Sequence, residues 1–169
     1  MNQRQKRVRV VLHQLQIDHN GISSIRSQRG DATFVSVLRD WKGALVDGRV
    51  ARAKVANPLL GKLLAIRLAC GMARALGISN VYIESNNQQA IKLSVSELVP
   101  PWEVLPLVLD IRQLRQYLGL SFSWVKRSGN LLAHTVATKA LRNLLPFSWV
   151  AAPPFFLSSV VNSESFPVL

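Results

Sequence analysis

Asn57-Pro58 divides this chain into two kinds of sequence. An asparagine side chain that can cap, followed by a proline preset for a first helical turn, starts a helix, and Gly77 supplies its stop, so residues 58–76 are predicted helical. Leu59, Leu60, Leu63, Leu64, Ile66 and Leu68 are too many for a narrow apolar stripe. The helix is therefore expected to be covered on more than one side, with Lys62 and Arg74 marking what stays polar.

Ahead of that point the pattern is β-like. Val8 to Asp18 alternates around Leu12, Leu15 and Ile17, Ala32 to Leu38 is β-prone, and Ala44 to Lys54 returns after turn residues at Asp40 to Gly43. The short connections demand an antiparallel meander, because a parallel pair needs a crossover of about a dozen residues. Beyond Gly77, Val81 to Glu84 reads as a buried strand, and strand, helix, strand is the parallel crossover unit. Asn86 to Val95 and Trp102 to Leu118 are predicted helices, the second with Pro106 in its first turn or at a kink. Leu120 to Lys126 sets Leu120, Phe122 and Trp124 against serines as a fifth strand, and Leu131 to Leu144 is a last helix capped by Asn130 and closed by Pro146.

The expectation is an α/β fold: a five-stranded mixed sheet, three antiparallel strands then parallel crossovers, flanked by helices. Residues 1–10 form a basic N-terminal tail, 11–145 the domain, and 146–169 a Pro-containing apolar C-terminal tail, extended and draped over the domain.

A length of 169 residues suits one core, and 49% hydrophobic against 18% charged residues is far from a disordered composition. Lys plus Arg number 21 and Asp plus Glu 9, a net +12, which points to an anionic partner, nucleic acid ahead of a membrane. Cys70 has no second cysteine to pair with, and with only three histidines no Cys/His zinc set can be assembled. Apolar runs fall far short of the roughly 20 residues a spanning helix needs. Arg9 breaks the apolar stretch next to the basic Arg4, Lys6 and Arg7, so no signal-peptide core forms, and an intracellular protein, cytoplasmic or nuclear, is expected. That basic run reads either as a solvated tail or as a localisation signal or nucleic-acid arm.

Four local sequences go further: Val37-Leu38-Arg39-Asp40-Trp41-Lys42-Gly43, Leu63-Leu64-Ala65-Ile66-Arg67-Leu68-Ala69, Val81-Tyr82-Ile83-Glu84-Ser85, and Arg127-Ser128-Gly129-Asn130-Leu131-Leu132-Ala133-His134. In this order and spacing the chain, from about Leu15 to about Pro154, resembles the plant reverse-transcriptase-like domains of the type 1 ribonuclease H family, which derive from retroelement polyproteins. The resemblance implies the ribonuclease H-like fold. It also implies four carboxylates on two magnesium ions, since hard divalent cations take oxygen ligands.

Carried over residue by residue, those catalytic positions fall on Asp18, Lys62, Asn86 and His134, and only Asp18 matches. Plant relatives often carry the histidine. The formal charge of the set is zero where the family pattern carries four negatives. Lys62 is the more damaging change, because an ammonium has no lone pair to offer and repels a cation. Asn86 keeps a carbonyl oxygen without the charge. Glu84 and Asp40 are the acids nearest in sequence for a replacement ligand. Asp18 is at most the one metal ligand left, and it reads equally as a turn acceptor before His19-Asn20-Gly21. Lys62 is expected to reach Asp18 and fill the vacated position.

A nucleic-acid face is expected from Lys126, Arg127, Asn130, Asn87 and Gln88, with Arg112, Arg115, Lys139 and Arg142 nearby. Trp41, Trp102, Trp124 and Trp149 read either as stacking surfaces or as packing. The implied function is a domain with a degenerate two-metal site that binds RNA or RNA/DNA hybrid weakly and salt-dependently without cleaving it. The alternatives are an active hybrid ribonuclease with a reduced metal set, and a non-catalytic interaction or relic domain. No cofactor is expected under the first reading, Mg2+ under the second, and a monomer away from membranes under all three.

Overall fold

A computed structural model describes residues 7–9 and 30–163 of the chain. Its strands are β1 (Arg7–Arg9), β2 (Gly30–Arg39), β3 (Leu45–Val55), β4 (Tyr82–Ser85) and β5 (Ser121–Trp124), joined in the order β3-β2-β1-β4-β5. The first pairings, β3 to β2 and β2 to β1, are antiparallel, and those of β4 with β1 and with β5 are parallel. The helices are α1 (Pro58–Ala75), α2 (Gln88–Val95), α3 (Leu105–Leu118), α4 (Leu131–Leu141) and α5 (Phe155–Ser163), with a 3-10 turn at Arg127–Asn130.

β2 lies inside the sheet with helices over both faces, so its side chains sort by parity. Ala32, Phe34 and Leu38 join the larger core under α1, α2 and α3. Val35 and Val37 join a second core with Leu132, Val136, Trp149 and Leu157. The β2-β3 hairpin closes on Asp40, whose carboxylate accepts from the backbone N–H of Lys42 (2.9 Å) and of Ala44 (2.8 Å).

α1 begins as the sequence predicts. Asn57 Oδ1 accepts from the Leu60 N–H at 2.8 Å, Pro58 occupies the first turn, and Gly77, at φ 62°, ends the segment. The buried arc is centred on Leu63, Ile66, Cys70 and Ala73. Leu59, Leu60 and Leu64 stay half-buried because only one side of the first turns meets the sheet. Arg67 pairs with Asp110 across α1 and α3.

Of the expectations for the chain ends, the one for the C-terminal segment is corrected. The sequence pattern starts the first strand at Val8, and among the described residues that strand covers Arg7–Arg9, one residue further into the expected basic tail, with Val8 between Leu38 and Ile83. Asp18 and the rest of residues 10–29 lie outside the described residues. The segment after Pro146 is expected to be extended, yet it holds α5 and buries Trp149 and Leu157. The apolar spacing of Leu157, Val160 and Val161 is helical, and Pro153-Pro154 precedes the first turn without interrupting it. Arg39, only 1% exposed, locks this segment to the hairpin: its guanidinium donates to the Gly43 carbonyl (2.6 Å) and to the Val161 carbonyl near the end of α5 (2.9 Å). Cations are favoured at a helix C-terminus.

Candidate functional site

The parallel strands β4 and β5 finish side by side, with the Val125 N–H donating to the Ser85 carbonyl at 2.9 Å. Trp124 Nε1 then donates to the Asn86 carbonyl at 3.3 Å, so Asn86 stands beside the Trp124 to Lys126 strand end. The chain turns there through Arg127–Asn130, where the Gly129 N–H returns to the Lys126 carbonyl at 3.0 Å, and enters α4. Carboxyl ends of parallel strands are the usual ligand-binding edge of an α/β sheet.

Lys62 stands in the second turn of α1. Its amine pKa is pushed down to about 8, first by burial and then by the positive charge of Arg127. His134, in the first turns of α4, is also held below its ordinary value, first by burial and then by Arg127. Arg127 is thus the common neighbour of two of the four positions that the resemblance singles out. Sequence reasoning misses that proximity, because it places Arg127 only on the outer basic face. The spacing of Arg127 and His134 across the start of a helix is the available signal.

Of the four positions, Lys62 and His134 share this neighbour, Asn86 stands at the same sheet edge, and Asp18 lies outside the described residues. The expected approach of Lys62 to Asp18 therefore lies outside them too. Asp40 is committed to the hairpin turn. An ammonium, a guanidinium, an imidazole and a carboxamide do not make the hard anionic oxygen set that magnesium takes. Among the described residues no group of three or more His, Cys, Asp and Glu could hold a metal ion. The described part of the donor set does not fit the ion.

The expected nucleic-acid residues divide by exposure. Lys126, Arg127 and Gln88 are exposed at the sheet edge. Asn87 is the cap of α2, its Oδ1 accepting from the Ala90 N–H at 2.7 Å, so only its Nδ2 remains for a partner. Asn130 is buried, 1% exposed, and neither side-chain atom has a hydrogen-bond partner among the described residues. Its expected place on the outer face is corrected: the 3-10 turn folds it inward as α4 begins. Arg112 fastens the α2-α3 connection, donating to the carbonyls of Leu93 (3.0 Å) and Leu98 (2.7 Å). Lys139 lies over the Phe156 ring at 4.7 Å and binds α4 to α5. Trp149 is core, while Trp41, Trp102 and Trp124 are exposed. Cys70 is buried with its thiol pushed up to about 12 by burial, which leaves it inert. No helix among the described residues is long and apolar enough to cross a membrane.

The family model described as reverse transcriptase-like matches residues 19–140. No curated protein matches the chain. Among solved structures, ribonuclease H1 of the halophilic archaeon Halobacterium salinarum NRC-1 is 19% identical, with a TM-score of 0.65 over 81% of this chain and 98% of its own. LC11-RNase H1 in complex with RNA/DNA hybrid is 16% identical, with a TM-score of 0.62 over 82% of this chain and 99% of its own. The protease-reverse transcriptase of prototype foamy virus is 13% identical, with a TM-score of 0.62 over 82% of this chain but 21% of its own. These likenesses agree in the fold, and the sequence match covers most of the chain. It belongs to the reverse transcriptase-like family and has the ribonuclease H-like α/β fold.

Proposed function

We propose that this domain binds RNA or RNA/DNA hybrid through the sheet edge bearing Lys126, Arg127 and Gln88, and does not cleave it. The observation that carries the reading is a buried amine, Lys62, that feels the positive charge of Arg127, at a position where cleavage would need an anionic metal ligand. The LC11 relative in complex with RNA/DNA hybrid supports the choice of ligand. Phosphate tracking by Lys and Arg is independent of sequence, so affinity rather than base recognition is expected. Under this reading residues 11–145 carry the binding, and the domain acts as a monomer inside the cell, a retroelement-derived plant pseudoenzyme.

The test pairs two measurements on one preparation: filter binding of a labelled hybrid, and cleavage of the same hybrid with magnesium or manganese. Binding without cutting is expected. Metal-dependent cutting that survives repurification and disappears in Asp18→Asn would establish the reduced-site nuclease instead. An absence of binding at low salt would leave an interaction or relic domain.

A further inference from the structure

Charge is unevenly spread along this chain. Residues 93–111 contain no Lys or Arg, and they hold Glu97, Glu103 and Asp110, three of the nine acidic residues in a chain of net charge +12. Asp110 is paired with Arg67. Glu97 and Glu103 are exposed and enter no ion pair among the described residues. Both stand in the connection between α2 and α3, residues 96–104. The same connection shows large apolar side chains to solvent: Val99 is 88% exposed and Trp102 80%, while Leu98 and, on α3, Leu109 are half-exposed. Leu109 shares a face of α3 with Arg112, whose guanidinium donates to the Leu98 carbonyl, so these apolar groups are neighbours. Single exposed apolar residues need no explanation, but a cluster that includes a tryptophan marks an interaction surface.

The loop is held in shape before any partner arrives. Leu93 and Val104, on either side of it, belong to the larger core, and Pro100 is buried between them. Arg112 ties down the carbonyls of Leu93 and Leu98. The Val104 N–H returns to the Pro101 carbonyl at 3.0 Å and the Leu105 N–H to the Trp102 carbonyl at 3.3 Å. A preformed loop gives up little conformational freedom on binding, and a rigid exposed tryptophan is the side chain that most often anchors a protein interface. Charge then selects the occupant. Carboxylates beside the tryptophan repel the phosphates of a nucleic-acid strand and of an anionic bilayer alike. A second copy of this chain would bring one body of charge +12 against another. Lys or Arg on a different protein would be drawn to the same two carboxylates.

We propose that residues 97–103 dock a separate protein through a basic, amphipathic segment, whose apolar side chains cover Val99 and Trp102 and whose flanking Lys or Arg residues meet Glu97 and Glu103. The surface follows the C-terminal end of α2, whereas Gln88 of the nucleic-acid edge is at the N-terminal end, about 12 Å of helix away. The two surfaces are therefore separate, and this inference does not rest on the nucleic-acid reading.

The experiment is a selection from a displayed library of random peptides on the full chain, after which the recovered peptides are synthesised and titrated by fluorescence anisotropy. They are titrated against the parent and two double variants, Val99→Ser with Trp102→Ala, and Glu97→Gln with Glu103→Gln. All four side chains are exposed, so both variants should fold, and circular dichroism checks it; if one does not, the other still decides. Recovered peptides should combine large apolar residues with an excess of Lys and Arg. Their dissociation constants should rise at least tenfold in the Val99 and Trp102 variant and at least threefold in the Glu97 and Glu103 variant. A selection that yields no such peptide, peptides without excess positive charge, or equal binding to parent and variants would overturn the proposal. Sedimentation of the parent provides the remaining check: concentration-dependent association that disappears in the Val99 and Trp102 variant would assign the surface to a second copy instead. Any of these failures leaves hybrid binding to be judged by its own titration.

Discussion

The six-membered ring of Trp149 sits over Gly48 so closely that a β-carbon at that position would overlap three of its atoms. Trp149 is buried in the second core with Val35, Val37 and Leu157 and has little room to retreat. Gly48→Ala should destabilise the domain by about 1–3 kcal/mol, the cost of overpacking. Urea unfolding monitored by tryptophan fluorescence measures it. A midpoint equal to that of the parent chain would mean that the indole does not pack there.

Lys62 should make stability depend on alkaline pH. Its folded pKa, about 8, lies below the ordinary 10.5, so between those values the unfolded chain binds the extra proton. Stability attributable to this residue is therefore present above the unfolded value, falls as pH drops through the window, and stays reduced below about 8. Lys62→Met should unfold later than the parent at pH 7, by about 2 kcal/mol after allowance for partial solvation. At pH 10.5 the two should converge. Paired denaturant curves at both pH values give the difference, and a gap of equal size at both would locate the effect in packing instead.

Binding to hybrid should weaken steeply with salt, because counterions are released as cations meet phosphates. Lys126 and Arg127 are both exposed at the sheet edge. Neutralising them together should reduce the slope of log K against log salt by about 2, near one for each lost contact. An unchanged slope would place the contacts on another face.

Reversing the charges at the edge should recover a cation site. The double variant Lys62→Glu with Asn86→Asp places two carboxylates where the parent chain has an amine and an amide, and calorimetry with magnesium should detect binding absent from the parent. If the heat remains that of dilution, the surrounding pocket has diverged beyond these side chains.

Much of the fold is legible because local signals agree with one another. Asn57, Pro58 and Gly77 bound α1 within a residue of expectation, and Gly119 precedes β5 as the alternation after it requires. Other features depend on contacts that no local pattern carries. Nothing about Asn130 in sequence distinguishes it from the two asparagines that do cap; only the 3-10 turn that ends on it folds it inward. Arg112 reads like any surface arginine until the carbonyls of Leu93 and Leu98 close around it. The long-range approach of Arg127 to Lys62 joins a turn and a helix far apart in the chain. Their meeting is a product of topology.

The bond from Arg39 to Val161 bears on how the molecule comes apart. A guanidinium with almost no exposure cannot lose an acceptor without being left partly unsolvated, so opening α5 alone is costly. The last helix and the β2-β3 hairpin should then belong to one cooperative unit, although more than a hundred residues of sequence separate the two bonded groups. Amide hydrogen exchange should find Leu157 through Val161 protected to the same degree as Val35 and Val37, rather than fraying as a terminal helix ordinarily does. Proteolytic cleavage within α5 would accordingly wait until the whole domain had lost its structure.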